Sequence, residues 1–141
     1  MPINEETSFE AQAWILHTQI AEELLAQSRY PVVLCDRAVV DNYAYLAHAN
    51  GDVPALDQLV ANWLTTYQRI VLVPVVDAPS LDGLRAADPI FQRAIDARVR
   101  QELERRNVDY VDLTAVDREQ WLDHVEAIAI DDLKPPQLDL L

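Results

Sequence analysis

Asp36 and Arg37 close a short apolar run, Val32-Val33-Leu34-Cys35. In open parallel sheets ligands bind beyond the carboxyl ends of the strands, which is where this pair would fall. A carboxylate there can hold Mg²⁺ through water, and a guanidinium can grip a phosphate through two parallel hydrogen bonds. The same two residues have a plain structural reading, Asp36 as a helix cap and Arg37 in a surface ion pair. A second cluster is Asp82-Gly83-Leu84-Arg85 with Asp88, Phe91, Arg93, Asp96, Arg98 and Arg100. Arginines gathered on a loop and the helix behind it suit a phosphate-binding lid, where their charge stabilises transferred phosphoryl oxygens. From Arg98 to Arg106, pairs at i,i+4 such as Asp96 with Arg100 account for the charges instead. Arg85 and Arg93 are open to either reading. Tyr43 and Tyr45 follow the Asp36-Arg37 turn and either line a substrate pocket or pack in the core. Cys35, inside the apolar run, reads as a small buried thiol. His17, His48 and His124 fall on three separate helices without the spacing of metal ligands.

The elements that must position these residues are legible from periodicity and punctuation. Thr7-Ser8-Phe9-Glu10 fits a capping box with Thr7 as N-cap, ahead of a long amphipathic helix ending near Ser28. Tyr30-Pro31 breaks it, and residues 32–35 read as a strand buried on both faces. A helix over 39–49 is stopped by Asn50-Gly51, and another over 54–67 carries the stripe Leu56, Leu59, Val60, Trp63, Leu64 and Tyr67. A second strand covers 70–73, a loop 77–87, and Asp88-Pro89 opens a charged helix to about Arg106. Residues 108–113 alternate as a third strand. A last helix over 117–130 has Trp121, Leu122, Val125 and Ile128 on its inner face. Strands separated by helices imply crossovers, hence an α/β fold with a parallel sheet of about three strands and flanking helices. Residues 1–132 read as a single α/β domain and 133–141 as a C-terminal tail.

Composition limits what this scaffold can do. Eleven Lys and Arg against 24 Asp and Glu give a formal net charge of −13. That charge argues against a nucleic-acid or anionic-membrane partner, since both would repel the protein. The single cysteine forms no intramolecular disulfide, the N-terminus lacks the pattern of a signal peptide, and no apolar run is long enough to cross a bilayer, so a cytoplasmic protein is expected. There are two glycines, Gly51 and Gly83, and one lysine, Lys134. A phosphate loop of the form G-x-x-x-x-G-K-[ST] is therefore absent from these 141 residues.

The segment from Val32 to Arg37, followed by Asp41-Asn42-Tyr43-Ala44-Tyr45-Leu46, resembles the second nucleotide motif of P-loop kinase-like ATPases. Those include the thymidylate-kinase-like and nicotinamide-riboside-kinase-like domains. Asp82-Gly83-Leu84-Arg85 with Asp88, Phe91, Arg93 and Asp96 resembles their lid, and Ile3-Asn4-Glu5-Glu6-Thr7 the segment leading into their long helix. The resemblance spans about residues 3–130. It implies catalytic positions at Asp36, the Mg²⁺-side carboxylate acting through water, and at Arg37, a phosphate contact. It makes Arg85 and Arg93 lid arginines, with Mg and ATP as cofactors of a full-length form. The first strand, the glycine-rich loop and the helix behind it have no counterpart here, and that loop supplies most of the anion site. The expectation is therefore a truncated or degenerate nucleotide kinase or ATPase-like protein, inactive on its own and binding neither cofactor tightly. The alternative is a non-catalytic α/β interaction or dimerisation protein on the same scaffold. In the resembled fold the missing strand lies between the strands at 32–35 and 70–73. Those two should then pair directly, or a second chain, in a homodimer or by strand exchange, should fill the gap.

Overall fold

The computed structural model of the protein describes residues 8–75 and 88–134. Helix α1, Phe9–Arg29, is opened by Ser8, whose Oγ accepts from the Ala11 N–H at 3.2 Å. The expected cap, Thr7, lies outside the described residues. Tyr30 is extended ahead of Pro31 and ends the helix, because the residue before proline is driven out of helical dihedrals. Helix α2, Val39–Asn50, stops at Gly51, whose φ of 78° is left-handed and suits a residue without Cβ. Helix α3, Pro54–Leu64, is shorter than its apolar stripe suggested. Its last turn tightens, with Thr65 N–H on Asn62 O and Thr66 N–H on Trp63 O, and this releases Tyr67 from the helix. Helix α4, Pro89–Arg105, has the expected start: Asp88 accepts from the Ile90 N–H at 2.9 Å and proline occupies the first turn.

The chain divides into two compact units. Residues Met1–Gln68 with Val75–Asp109 form the first, which holds all four of these helices. Helix α2 is at its centre and packs on α1, α3 and α4. Leu16, Val39, Val40, Tyr43, Ala44, Leu46, Val60 and Leu103 make the core, each at most 1% exposed. At about 1.5–3 kcal/mol for each large apolar side chain buried, this core is what holds the helices together.

Arg69–Pro74 and Tyr110–Leu141 form the second unit. It contains strands β1, Val71–Leu72, and β2, Val111–Asp112, paired in parallel with Val71 opposite Val111. A single 3₁₀ turn, Leu113–Ala115, follows β2, and another, Arg118–Gln120, leads into helix α5, Trp121–Leu133. The Trp121 indole N–H donates to Val116 O at 2.8 Å, and Arg69 forks onto Asp132 at 2.8 and 2.6 Å. The expected inner face of α5 is only partly realised. Trp121, Val125 and Ile128 are half-shielded, whereas Leu122 is 76% exposed.

The fold is α/β with a parallel sheet, as expected, but among the described residues that sheet has two strands rather than about three. Residues 32–35 are extended and belong to no ladder. The backbone groups of Val32, Val33 and Leu34 have no hydrogen-bond partner among the described residues. Valine-rich sequence supplies extended dihedrals, but a strand exists only with a neighbour to bond. Nor is the segment buried on both faces: Val32 is 46% exposed and Leu34 88%. Among the described residues the ladder partner of β1 is β2. Among the described residues no helix is long and apolar enough to cross a membrane.

Candidate functional site

One cleft of about 330 Å³ lies in the first unit, between α1 and the extended segment. Helix α1 lines it with Gln19, Glu22, Glu23 and Ala26, which fall at i, i+3, i+4 and i+7 on a single face. Val33, Leu34, Cys35, Asp36 and Arg37 form the opposite wall.

Glu23 is 3% exposed and collects three donors. The Tyr67 hydroxyl reaches Oε2 at 2.9 Å, the Gln19 amide reaches the same oxygen at 3.1 Å, and the Trp63 indole N–H reaches Oε1 at 3.4 Å. A buried carboxylate is tolerable when it is hydrogen-bonded in this way. Two of these partners also touch the backbone around Arg37. Gln19 Nε2 donates to Arg37 O at 3.1 Å, and the Tyr67 oxygen accepts from the Val39 N–H at 3.0 Å. Between them, the Ala38 N–H donates to Asp41 Oδ2 at 2.8 Å. Burial, followed by the charge and hydrogen bond of Glu23, holds the Tyr67 hydroxyl well above its ordinary pKa. Burial also raises the Asp41 carboxyl, outweighing the lowering by Ala38 N–H and Arg37.

Asp36 and Arg37 are both exposed and both on the cleft, as the position after an apolar run suggested. Asp36 does not cap α2; that position is Ala38, with Asp41 reaching back to it. The Arg37 guanidinium lies 5.8 Å from the centre of the Tyr45 ring. Tyr45 packs at 5.8 Å on Phe91 of α4, and His48 adds a second contact to Phe91 at 5.5 Å. Arg93 is exposed on α4, while Arg85 lies outside the described residues.

Tyr43 is fully buried and is not a cleft residue. Its ring lies 5.2 Å below the Arg106 guanidinium, and its hydroxyl accepts from the Val53 N–H at 3.4 Å. Cys35 is exposed, contrary to the expectation of a buried thiol, because the segment carrying it is unpaired. Partial burial of the sulfur and the neighbouring Glu23 nevertheless raise its pKa, which lowers the thiolate fraction.

The arginines from Arg98 to Arg106 pair as expected but more extensively. Arg100 meets Asp96 at 3.2 Å, four residues away. Arg98, Arg105 and Arg106 all converge on Glu102, which is 0% exposed, and continue to Asp52 or Asp57 on the α3 side. Burial alone would raise the Asp57 carboxyl, but the hydrogen bonds and charges of Arg105 and Arg106 bring it below the usual range. These charges are committed to packing α4, not to a ligand.

Glu23 is the site residue that motif reading missed. Its signals were two i,i+4 pairs, Gln19 with Glu23 and Trp63 with Tyr67, the second being aromatic rings with a polar handle. Among the described residues, no group of three or more His, Cys, Asp or Glu could hold a metal ion.

A family model described as an AAA domain matches residues 2–120. No curated protein and no solved structure matches the chain.

Proposed function

Since the chain belongs to the AAA domain family, a family of the P-loop NTPase type, we propose that it is a nucleotide-kinase or ATPase-like scaffold carrying the Asp36–Arg37 side of a phosphate site. The observation behind this reading is the turn at Asp36 and Arg37. It opens on a cleft, and its backbone is held by side chains from α1 and from beyond α3. Arg37 supplies a guanidinium for phosphate oxygens, and Arg93 and Arg85 supply lid charge. Among the described residues Asp36 belongs to no cluster of the kind that holds a metal ion. That suits Mg²⁺ only in the form in which the ion keeps several waters and takes its other ligands from substrate phosphates. Bound there, Mg²⁺ would neutralise phosphate charge.

The residues present do not suit ATP in the same way. No glycine-rich loop with its lysine occurs in the 141 residues, so the backbone N–H cradle for the β- and γ-phosphates is lacking. The chain by itself is inactive and holds the nucleotide weakly. Calorimetry with Mg-ATP should give a dissociation constant weaker than about 100 μM, or roughly −5.5 kcal/mol. Tighter binding would overturn that statement. Inorganic pyrophosphate should bind weakly, and Arg37→Ala should weaken it by about tenfold, the loss of one charge-assisted contact of ~1.4 kcal/mol. Equal affinity of the two proteins would remove Arg37 from the site.

A second reading, a non-catalytic interaction protein, is favoured by the unpaired, apolar segment at residues 32–35. Unsatisfied strand edges template pairing with another chain. On this reading two copies pair through the segment, and Leu34→Lys abolishes a concentration-dependent association seen by sedimentation equilibrium. A wild-type protein that stays monomeric across the whole concentration range rules it out.

A further inference from the structure

We infer that Glu23 is a positioning residue, which sets the geometry of the Asp36–Arg37 turn through Gln19 and Tyr67. The inference rests on reading that turn as the phosphate-contacting element. It starts from an anomaly. The segment leading into the turn has no sheet ladder, and the side chains of Asp36 and Arg37 are exposed, so neither strand pairing nor packing of their own side chains holds these two residues, and the core begins only at Val39. Side-chain hydrogen bonds replace them: Gln19 on Arg37 O, Asp41 on Ala38 N–H, and Tyr67 on Val39 N–H.

Glu23 directs two of these three. The Tyr67 hydroxyl has one proton and donates it to Glu23, which leaves a lone pair facing the Val39 N–H. The Gln19 amide nitrogen carries two protons, one on Glu23 Oε2 and the other on Arg37 O. A single buried carboxylate thus fixes the direction of a donor on one side of residues 37–39 and of an acceptor on the other. Trp63 bonds the same carboxylate and, among the described residues, makes no hydrogen bond to residues 36–39, so it braces Glu23 without taking part in the relay. A leucine at this position would avoid the cost of burying a charge, but it could orient neither Gln19 nor Tyr67.

Amide hydrogen exchange on the full chain, read by NMR, tests the relay without any ligand. Glu23→Leu and Tyr67→Phe should each speed exchange of the Val39 amide by about tenfold, the loss of roughly one net hydrogen bond. Glu23→Gln, which keeps one acceptor oxygen, should fall between them and the wild type. Trp63→Phe should leave the Val39 rate within about twofold, and the Leu46 amide inside α2 should hold its rate in every variant. An unchanged Val39 rate in the Glu23 variants overturns the inference. So does an equal acceleration in Trp63→Phe, or a Leu46 rate that moves in step with Val39. If Glu23→Leu does not fold, Glu23→Gln and Tyr67→Phe carry the test. The second readout is inorganic pyrophosphate affinity, which should weaken in Glu23→Gln and Gln19→Ala but not in Trp63→Phe. If the wild type binds no pyrophosphate, the phosphate-site reading fails, while the exchange rates still decide the role of Glu23.

Discussion

Replacing Glu102 by alanine should cost about 3–5 kcal/mol of folding stability, because it strands buried positive charge. Glu102 is fully buried on α4 and accepts from Arg98 at 2.7 Å, from Arg105 at 2.8 Å, and from Arg106. The Arg106 side chain is itself only 7% exposed, and its Nε already lacks a partner among the described residues. Without the Glu102 carboxylate, three guanidinium groups would share Asp52 and Asp57, and Arg106 would keep only Asp57 and the backbone carbonyl of residue 102. Glu102→Gln retains two acceptor lone pairs but loses the charge, and should lie between alanine and wild type. The exposed pair Lys134–Asp131, at 3.5 Å, is the contrast: Asp131→Asn should change stability by less than about 0.5 kcal/mol. Urea denaturation of the three variants measures all of this. A loss under about 1 kcal/mol for Glu102→Ala would mean that water reaches the cluster and that it contributes no more than a surface pair.

Tyr43→Ala should be comparably damaging, at about 3–5 kcal/mol, because it empties the centre of α2 where three other helices pack. It also removes the ring beneath Arg106, so its effect and that of Glu102→Ala should be non-additive. Tyr43→Phe isolates the hydroxyl, whose contact to the Val53 N–H is long at 3.4 Å, and should cost about 1 kcal/mol or less. Neither change should alter pyrophosphate affinity in protein that remains folded. The double-mutant cycle in urea and one calorimetric titration check both statements. A Tyr43→Phe protein of normal stability with altered pyrophosphate affinity would return Tyr43 to the cleft.

Tyr43 also marks where sequence reading reached its limit. The helices were legible because their determinants are local: Asp88-Pro89 opens α4, Gly51 closes α2, and Pro31 ends α1. Each of those signals acts within one turn of chain. The strand expected at residues 32–35 fails for the converse reason, since a ladder depends on a neighbour that local sequence does not specify. For the site, Asp36 and Arg37 were picked out as the end of a sheet strand; they do face the cleft, but the run ahead of them belongs to no ladder among the described residues. Whether Tyr43 or Tyr45 would face Arg37 was not, because both lie on one helix and only packing separates them. The structure places Tyr45 against Arg37 and Tyr43 against Arg106. Glu23 was hidden among the acidic residues of a polar helix, and two of its partners, Trp63 and Tyr67, lie 40 and 44 positions along the chain. The arginines from Arg98 onward read correctly as paired, but the i,i+4 rule describes a solvated lattice, whereas Glu102 is buried beneath three of them.

The pairing of Val71 with Val111 has a consequence for how the chain acquires its structure. A parallel pair so far apart in sequence closes a loop of forty residues, with an entropic cost on the order of 3 kcal/mol beyond a constant. Two residues of ladder on each strand repay little of that. Helix α4 reaches α2 over separations as long, Arg106 to Tyr43 for one, but α2 meets α1 and α3 over shorter ones, and during synthesis these three helices leave the ribosome before β2 has been made. Those three helices can therefore pack while the sheet does not yet exist, and the ladder can close only once β2 has been synthesised.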